Sequence, residues 1–174
     1  LMFGVQWDLV LKYLETKGVV SAYYDGWGNY YDIESITNDK AKHSTNKGTS
    51  WEDGSYAKAS RSCVLLTTGA SSSFAKMNIY DIAGNVFEWT LEGNQKYSSI
   101  IGSQGIRLAS VINTHISPIK IAAGPSTTVS SGPCVIRGGS YIYNSYQYPA
   151  SSHGDDGGEC YYANHDIGFR VTLY

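Results

Sequence analysis

The last 38 residues, Arg137 to Tyr174, constrain this chain more than any other stretch. They open on Arg137-Gly138-Gly139-Ser140-Tyr141 and close around Ile167-Gly168-Phe169-Arg170-Val171. They hold seven of the fifteen tyrosines and no lysine, and the intervening positions are mostly Ser, Asn, Gly, Asp and His. Tyrosine supplies stiff, amphipathic contact area, and Ser, Asn and Gly supply adaptable hydrogen bonding, a mixture found in paratopes. A catalytic cleft more often places a few titratable groups among apolar walls. The sequence therefore predicts a ligand-binding face at the C-terminal end, carried on a scaffold built by the residues before Arg137.

At 174 residues the chain is read as one domain, 1–174, long enough to bury a real core. A net charge of −2 with only 16% charged residues argues against a nucleic-acid partner or a membrane surface. Nineteen glycines and little helical periodicity favour a loop-rich α+β chain with short strands and few helices. No apolar run approaches the roughly 20 residues of a membrane span, so membrane insertion is not expected. Leu1-Met2-Phe3 runs straight into an amphipathic pattern rather than a signal peptide. The chain reads as a piece of a longer protein, fused to a display domain on its N-terminal side. Cys63, Cys134 and Cys160 are odd in number and lack metal spacing. A disulfide framework is not expected, one pair stays open, and each cysteine reads as a small hydrophobe.

Trp7, Val10, Leu11 and Leu14 fall at i, i+3, i+4 and i+7, the one clean helical stripe. With Lys17 and Gly18 as stop signals, the spacing predicts a helix from about Val5 to Lys17, packed by one face on a sheet. Residues 19–62 lack a sustained period and read as loops and short strands. Their aromatics Tyr23, Tyr24, Trp27, Tyr30 and Tyr31 either line a groove or fill a loop-rich core. Ser62 to Leu66 reads as a short buried segment. Residues 94–133, rich in Ile, Ser and Gly, read as an insertion.

The stretch Asn78 to Thr90 carries a Gly84-Asn85 turn and a strand-like tail, Val86-Phe87-Glu88-Trp89. Tyr80-Asp81-Ile82-Ala83-Gly84-Asn85-Val86-Phe87-Glu88-Trp89, then Arg137-Gly138-Gly139-Ser140-Tyr141, then Gly168-Phe169-Arg170, resembles the formylglycine-generating enzyme (sulfatase-modifying factor) family. The resemblance implies an elaborated C-type lectin-like fold. It also implies two copper-binding, reactive cysteines after the Gly-Gly-Ser-Tyr word. Aligned without gaps, those positions are Tyr143 and Tyr148, and a phenol is neither the soft ligand nor the thiol nucleophile required. No catalytic residues are therefore expected, although the oxidase remains the rival reading. Cys160 with His153 or His165 offers a nucleophile and base only on paper. No cofactor is required by this reading. The resemblance implies a structural calcium held by Asp81, Gly84, Val86 and Glu88, a set of hard oxygen ligands. The alternative is a turn held by Asp81 and Asn85 hydrogen bonds, with Glu88 paired to an arginine. A calcium-dependent, carbohydrate-binding lectin is a further rival, but the usual Glu-Pro-Asn and Gln-Pro-Asp triplets are absent.

The C-terminal segment resembles, on the same scaffold, the variable proteins of diversity-generating retroelements. In those systems adenine-directed mutagenesis rewrites Asn codons into Tyr, Ser, Asp, His, Gly and others. The resemblance makes 137–170 the variable region. It implies display on a virion or cell surface, with a protein or other surface ligand of a host or neighbouring cell as partner. The ligand-binding residues expected to face outward are Tyr141, Tyr143, Asn144, Tyr146, Tyr148, Ser152, His153, Asp155, Asp156, Tyr161, Tyr162, Asn164, His165 and Asp166. Phe169 and Val171 are expected to alternate inward on a last strand, with Arg170 outward or paired.

Overall fold

A computed structural model describes residues 1–20, 27–32, 41–56, 61–93, 134–154 and 164–171. The expected insertion, 94–133, lies outside the described residues, as do Tyr23 and Tyr24. The described part is α+β, with one α-helix, a single 3-10 turn at Ser72–Phe74, short strands and much loop.

Helix α1 spans Gly4–Thr16, one residue earlier at each end than the stripe predicts. The main-chain N–H of Phe3 is satisfied by Gln6 Oε1 at 2.9 Å, the reciprocal half of a capping box. The helix ends in a Schellman motif. Gly18, at φ +68°, donates to Glu15 O, and Val19 donates to Leu14 O. Trp7, Leu11 and Leu14 are buried, and Val10 packs at the margin of their cluster. The same cluster holds Met2, Val20, Trp27, Tyr30, Ile82, Ala83 and Ala150. Trp27 and Tyr30 are thus core residues, whereas Tyr31 is half-buried.

Four strands form the sheet that carries the C-terminal segment, in the order β8-β7-β6-β9. These are β6 (Phe87–Gly93), β7 (Cys134–Arg137), β8 (His153–Gly154) and β9 (Ile167–Phe169). Strand β7 runs antiparallel to β6 and β8, whereas β9 runs parallel to β6. Register fixes which side chains share a face. Glu88 lies opposite Arg137 on one side and Gly168 on the other. That face meets α1, where Arg137 reaches Asp8 at 3.4 Å. Phe87 belongs to the opposite face by strand alternation. A second, three-stranded sheet joins β1 (Lys42–Ser44), β2 (Glu52–Asp53) and β3 (Leu65–Leu66) in the order β2-β1-β3. Leu66 of β3 joins Ala41, Val64, Ala70 and Phe74 in a smaller apolar cluster. A two-stranded hairpin, β4 (Ala75–Lys76) and β5 (Ile79–Tyr80), leads into the Gly84-Asn85 turn.

Two expectations change here. Cys63 is exposed and free rather than a buried hydrophobe. Phe169 and Val171 are each 68% exposed rather than inward. The alternation of β9 is set instead by Gly168 and Arg170. Gly168 packs against Val86, and Arg170 turns to meet the buried Glu88 carboxylate, which leaves Phe169 and Val171 outside.

Three close backbone approaches hold the fold together around Trp27 to Asp32. A Cβ on Gly28 would lie 2.1 Å from Ala83 O, and one on Gly84 would lie 2.4 Å from Asn29 O. One on Gly139 would lie 2.1 Å from Tyr148 O and 2.7 Å from Tyr30 Cε1. Each needs glycine for space as well as for its positive φ. Around them Asn29 Nδ2 donates to Val64 O and Asn85 Oδ1, and Tyr30 Oη donates to Gly138 O. Burial pushes the Tyr30 phenol far above its ordinary pKa, so it acts as a fixed donor.

Candidate functional site

The word Arg137-Gly138-Gly139-Ser140 ends β7 and turns the chain into the tyrosine-rich run 141–148. Asn85 O accepts from Tyr141 N–H at 3.0 Å, which ties the start of the run to the Gly-Asn turn. Gln147 and Tyr148 both donate to Asn144 O at 3.1 Å, closing a single helical turn. That turn stands beside Phe87. The rings of Tyr143 and Tyr148 lie with centroids 4.6 Å apart and sit 5.6 and 5.5 Å from the Phe87 ring. The two positions that the ungapped alignment pairs with reactive thiols are therefore neighbours in space, and both hold phenols.

The fourteen residues expected on the ligand face divide by burial. Tyr146 is 69% exposed, Asn164 is exposed, and Tyr143, Asn144, Tyr148 and His165 are half-buried. These six are grouped on two adjoining segments, since Tyr141 Oη bonds His165 Nδ1 at 2.9 Å between them. Three others are corrected. Tyr141, Ser152 and Asp166 are buried, at 1%, 1% and 4% exposure. Tyr141 is held below the surface by the bonds to Asn85 and His165, and burial, with Asp166 nearby, pushes its phenol up to about 12. Asp166 accepts from Ser140 Oγ at 3.3 Å, while its main-chain oxygen accepts from Phe87 N–H at 2.8 Å. Ser152 closes a turn on Pro149 O at 2.8 Å. His153 lies in β8, its side chain undescribed, and Asp155, Asp156, Tyr161 and Tyr162 lie outside the described residues, as does Cys160.

Of the oxygen set Asp81, Gly84, Val86 and Glu88, the residues Asp81, Gly84 and Glu88 take part in hydrogen bonds. Arg170 Nε and Nη2 reach the two Glu88 carboxylate oxygens at 2.8 and 2.7 Å. Nη2 also donates to the main-chain oxygens of Tyr80 and Asp81, both at 3.0 Å. Asp81 Oδ2 accepts from Gly69 N–H at 2.8 Å, and Gly84 N–H donates to Gly138 O at 2.7 Å. Asn85 Oδ1 accepts from Leu66 N–H and its Nδ2 donates to Leu66 O, both at 3.0 Å. The Arg170 guanidinium thus lies directly against the Glu88 carboxylate. Burial raises the carboxyl pKa of both Asp81 and Glu88, with Arg170 opposing the rise in each.

A family model described as the sulfatase-modifying factor enzyme 1-like domain matches residues 20–173. The chain belongs to that family. Comparison with curated proteins and with solved structures gave no match. The match takes in all three motif words and leaves out α1. In this sulfatase-modifying factor-like domain two further residues belong to the site, one of them, Tyr31, from the aromatic run with a groove among its readings and the other, Asp32, missed by a reading of the sequence. Both touch the 141–148 run from the far side of the chain. Tyr31 N–H donates to Tyr143 O at 2.9 Å, and Asp32 accepts twice from Ser145. The only local signal for Asp32 is its position just after Gly28-Asn29-Tyr30-Tyr31.

Proposed function

We propose that this sulfatase-modifying factor-like domain is a non-enzymatic binding module on a C-type lectin-like frame, with a C-terminal surface written by a diversity-generating retroelement. The observation that carries the reading is the Tyr143–Tyr148 ring pair at 4.6 Å. The frame brings two positions of the segment into contact beside Phe87, and what stands there is a pair of half-buried aromatic rings. Phenols offer contact area and hydrogen bonds to a partner. They lack the soft sulfur that would hold copper or attack a thiol substrate. Tyr146 and Asn164 extend the same surface with side chains that face solvent. The partner is a protein or other surface molecule of a host or neighbouring cell, and the domain acts at a virion or cell surface.

Two measurements test this. Sibling sequences should differ mainly at 143, 144, 146, 148, 164 and 165 and keep Gly138, Gly139 and Gly168. A near-copy of the Arg137–Arg170 coding region should lie beside a reverse transcriptase gene. Substitutions spread evenly along the chain would reject the proposal. So would copper-dependent conversion of a cysteine in a sulfatase-type peptide by the full chain, which is the outcome the oxidase reading requires.

A further inference from the structure

The tyrosine turn is held by main-chain atoms and by one carboxylate from the other end of the chain. The Asp32 carboxylate accepts from Ser145 N–H at 2.8 Å and from Ser145 Oγ–H at 2.9 Å, across 113 residues. One residue earlier, Tyr31 N–H donates to Tyr143 O at 2.9 Å. Within the turn, Asn144 O accepts from Gln147 and Tyr148 N–H. An N-cap side chain satisfies the free N–H groups at the start of a helical turn. Asp32 does the same for this turn in trans. Its own backbone is fixed in turn, because the preceding Asn29 and Tyr30 are bonded to Val64, Asn85 and Gly138. The exposed side chains of Tyr146 and Gln147 have no part in the clamp.

We propose that Asp32 is a positioning residue for ligand binding, which presets the 143–148 turn so that its side chains meet a partner already in place. The inference rests on the binding reading above. It makes a kinetic claim that the reading alone does not. A clamp acts on the free protein, raising the fraction whose turn is ready to bind. The apparent dissociation constant is the intrinsic one divided by that fraction. Loss of the clamp should therefore lower the association rate and leave the dissociation rate of the bound complex nearly unchanged. A residue that touches the ligand would instead change the dissociation rate.

The experiment uses the full chain in two arms. In the first, amide hydrogen exchange is followed without ligand in Asp32→Ala, Asp32→Asn and Ser145→Ala. Protection at the Ser145 amide should fall by about ten-fold or more in Asp32→Ala, with partial recovery in Asp32→Asn, which keeps one acceptor oxygen. Amides of α1 serve as the folding control and should not move. In the second, positions 144, 146 and 147 are randomised on a display system and binders are selected against immobilised lysozyme. In the selected clones Asp32→Ala should weaken binding by roughly three- to ten-fold, with the change in the association rate. Unchanged protection at Ser145 in Asp32→Ala would overturn the clamp, whatever the selection gives. Reduced protection with unaltered binding rates, or a change confined to dissociation, would overturn its positioning role. Failure to obtain any binder while Ser145 protection falls as expected would overturn the binding reading, and the positioning role with it.

Discussion

Arg170→Met should strip a buried carboxylate of its cation. Arg170 Nη2 lies 2.7 Å from Glu88, whose side chain is 8% exposed, while its own side chain is 25% exposed. Removing one partner of a buried pair leaves the other charge uncompensated and typically costs ~3–5 kcal/mol. Because the guanidinium keeps some solvent, the lower end, about 3 kcal/mol, is the expected loss at neutral pH. For a domain of this size that lowers the melting temperature by roughly 6–12 °C. Methionine keeps most of the side-chain volume, so the loss reads the charge rather than a cavity.

The pH dependence supplies the sign. Burial holds Glu88 and the neighbouring Asp81 above the ordinary carboxylate range, and Arg170 restrains both. A carboxyl that binds its proton more tightly folded than unfolded favours folding most below its unfolded pKa. That advantage is lost as pH rises through the raised folded value. Without Arg170 the Glu88 value rises further, so the damage should be greatest at pH 7 and shrink as pH falls toward about 5. Glu88→Gln added to Arg170→Met should return roughly half of the lost stability by removing the stranded charge. Urea unfolding followed by circular dichroism at both pH values measures all three proteins. A loss below about 1 kcal/mol, equal at both pH values and indifferent to Glu88→Gln, would show that the buried pair is not what holds β9 to β6.

Gly84→Ala and Gly18→Ala separate backbone strain from crowding, since their φ angles are +69° and +68°. A Cβ on Gly18 meets nothing within 4 Å, whereas one on Gly84 lies 2.4 Å from Asn29 O. Thermal melts should show about 1 kcal/mol lost for Gly18→Ala and more than ~3 kcal/mol for Gly84→Ala. Asn85→Asp removes the donor to Leu66 O and buries a charge, so it should cost about 2–4 kcal/mol at pH 7 and less at acid pH, as read by urea unfolding. With Arg170 at Glu88, about 1 mM calcium or excess chelator should leave the melting temperature unmoved, whereas an ion present at a hundred times its dissociation constant would add ~2.7 kcal/mol.

What the sequence made legible was local. The α1 stripe and its Gly18 stop are decided within a few residues by the 3.6-residue repeat and by a left-handed φ, so they read directly. Asn29 and Asp32 do not, because their partners lie 35, 56 and 113 residues away. Strand parity at 167–171 runs opposite to the hydrophobic alternation for a related reason. Hydrophobic alternation put Phe169 and Val171 inside, but the sheet already held a buried Glu88 carboxylate that needed a cation, and Arg170 took the inner face. Tyr141 was placed outside because composition cannot separate a phenol that faces solvent from one whose hydroxyl is satisfied by His165.

The same contacts limit what a variable surface of the kind proposed could change. Within 137–170 the fold uses particular side chains: Arg137 on Asp8, Ser140 on Asp166, Tyr141 on His165, Ser145 on Asp32 and Arg170 on Glu88. A mutagenic process that reached those positions would strand buried polar partners at a cost of about 1–3 kcal/mol each, more where a charge is left. His165 is the instructive case, being both half-exposed and bonded to Tyr141. A change there alters the surface and leaves the buried Tyr141 hydroxyl to find another partner, so tolerance at 165 should favour residues that carry a hydrogen-bonding group within reach. Positions 146 and 147, whose exposed side chains take no part in the clamp, should accept the widest range.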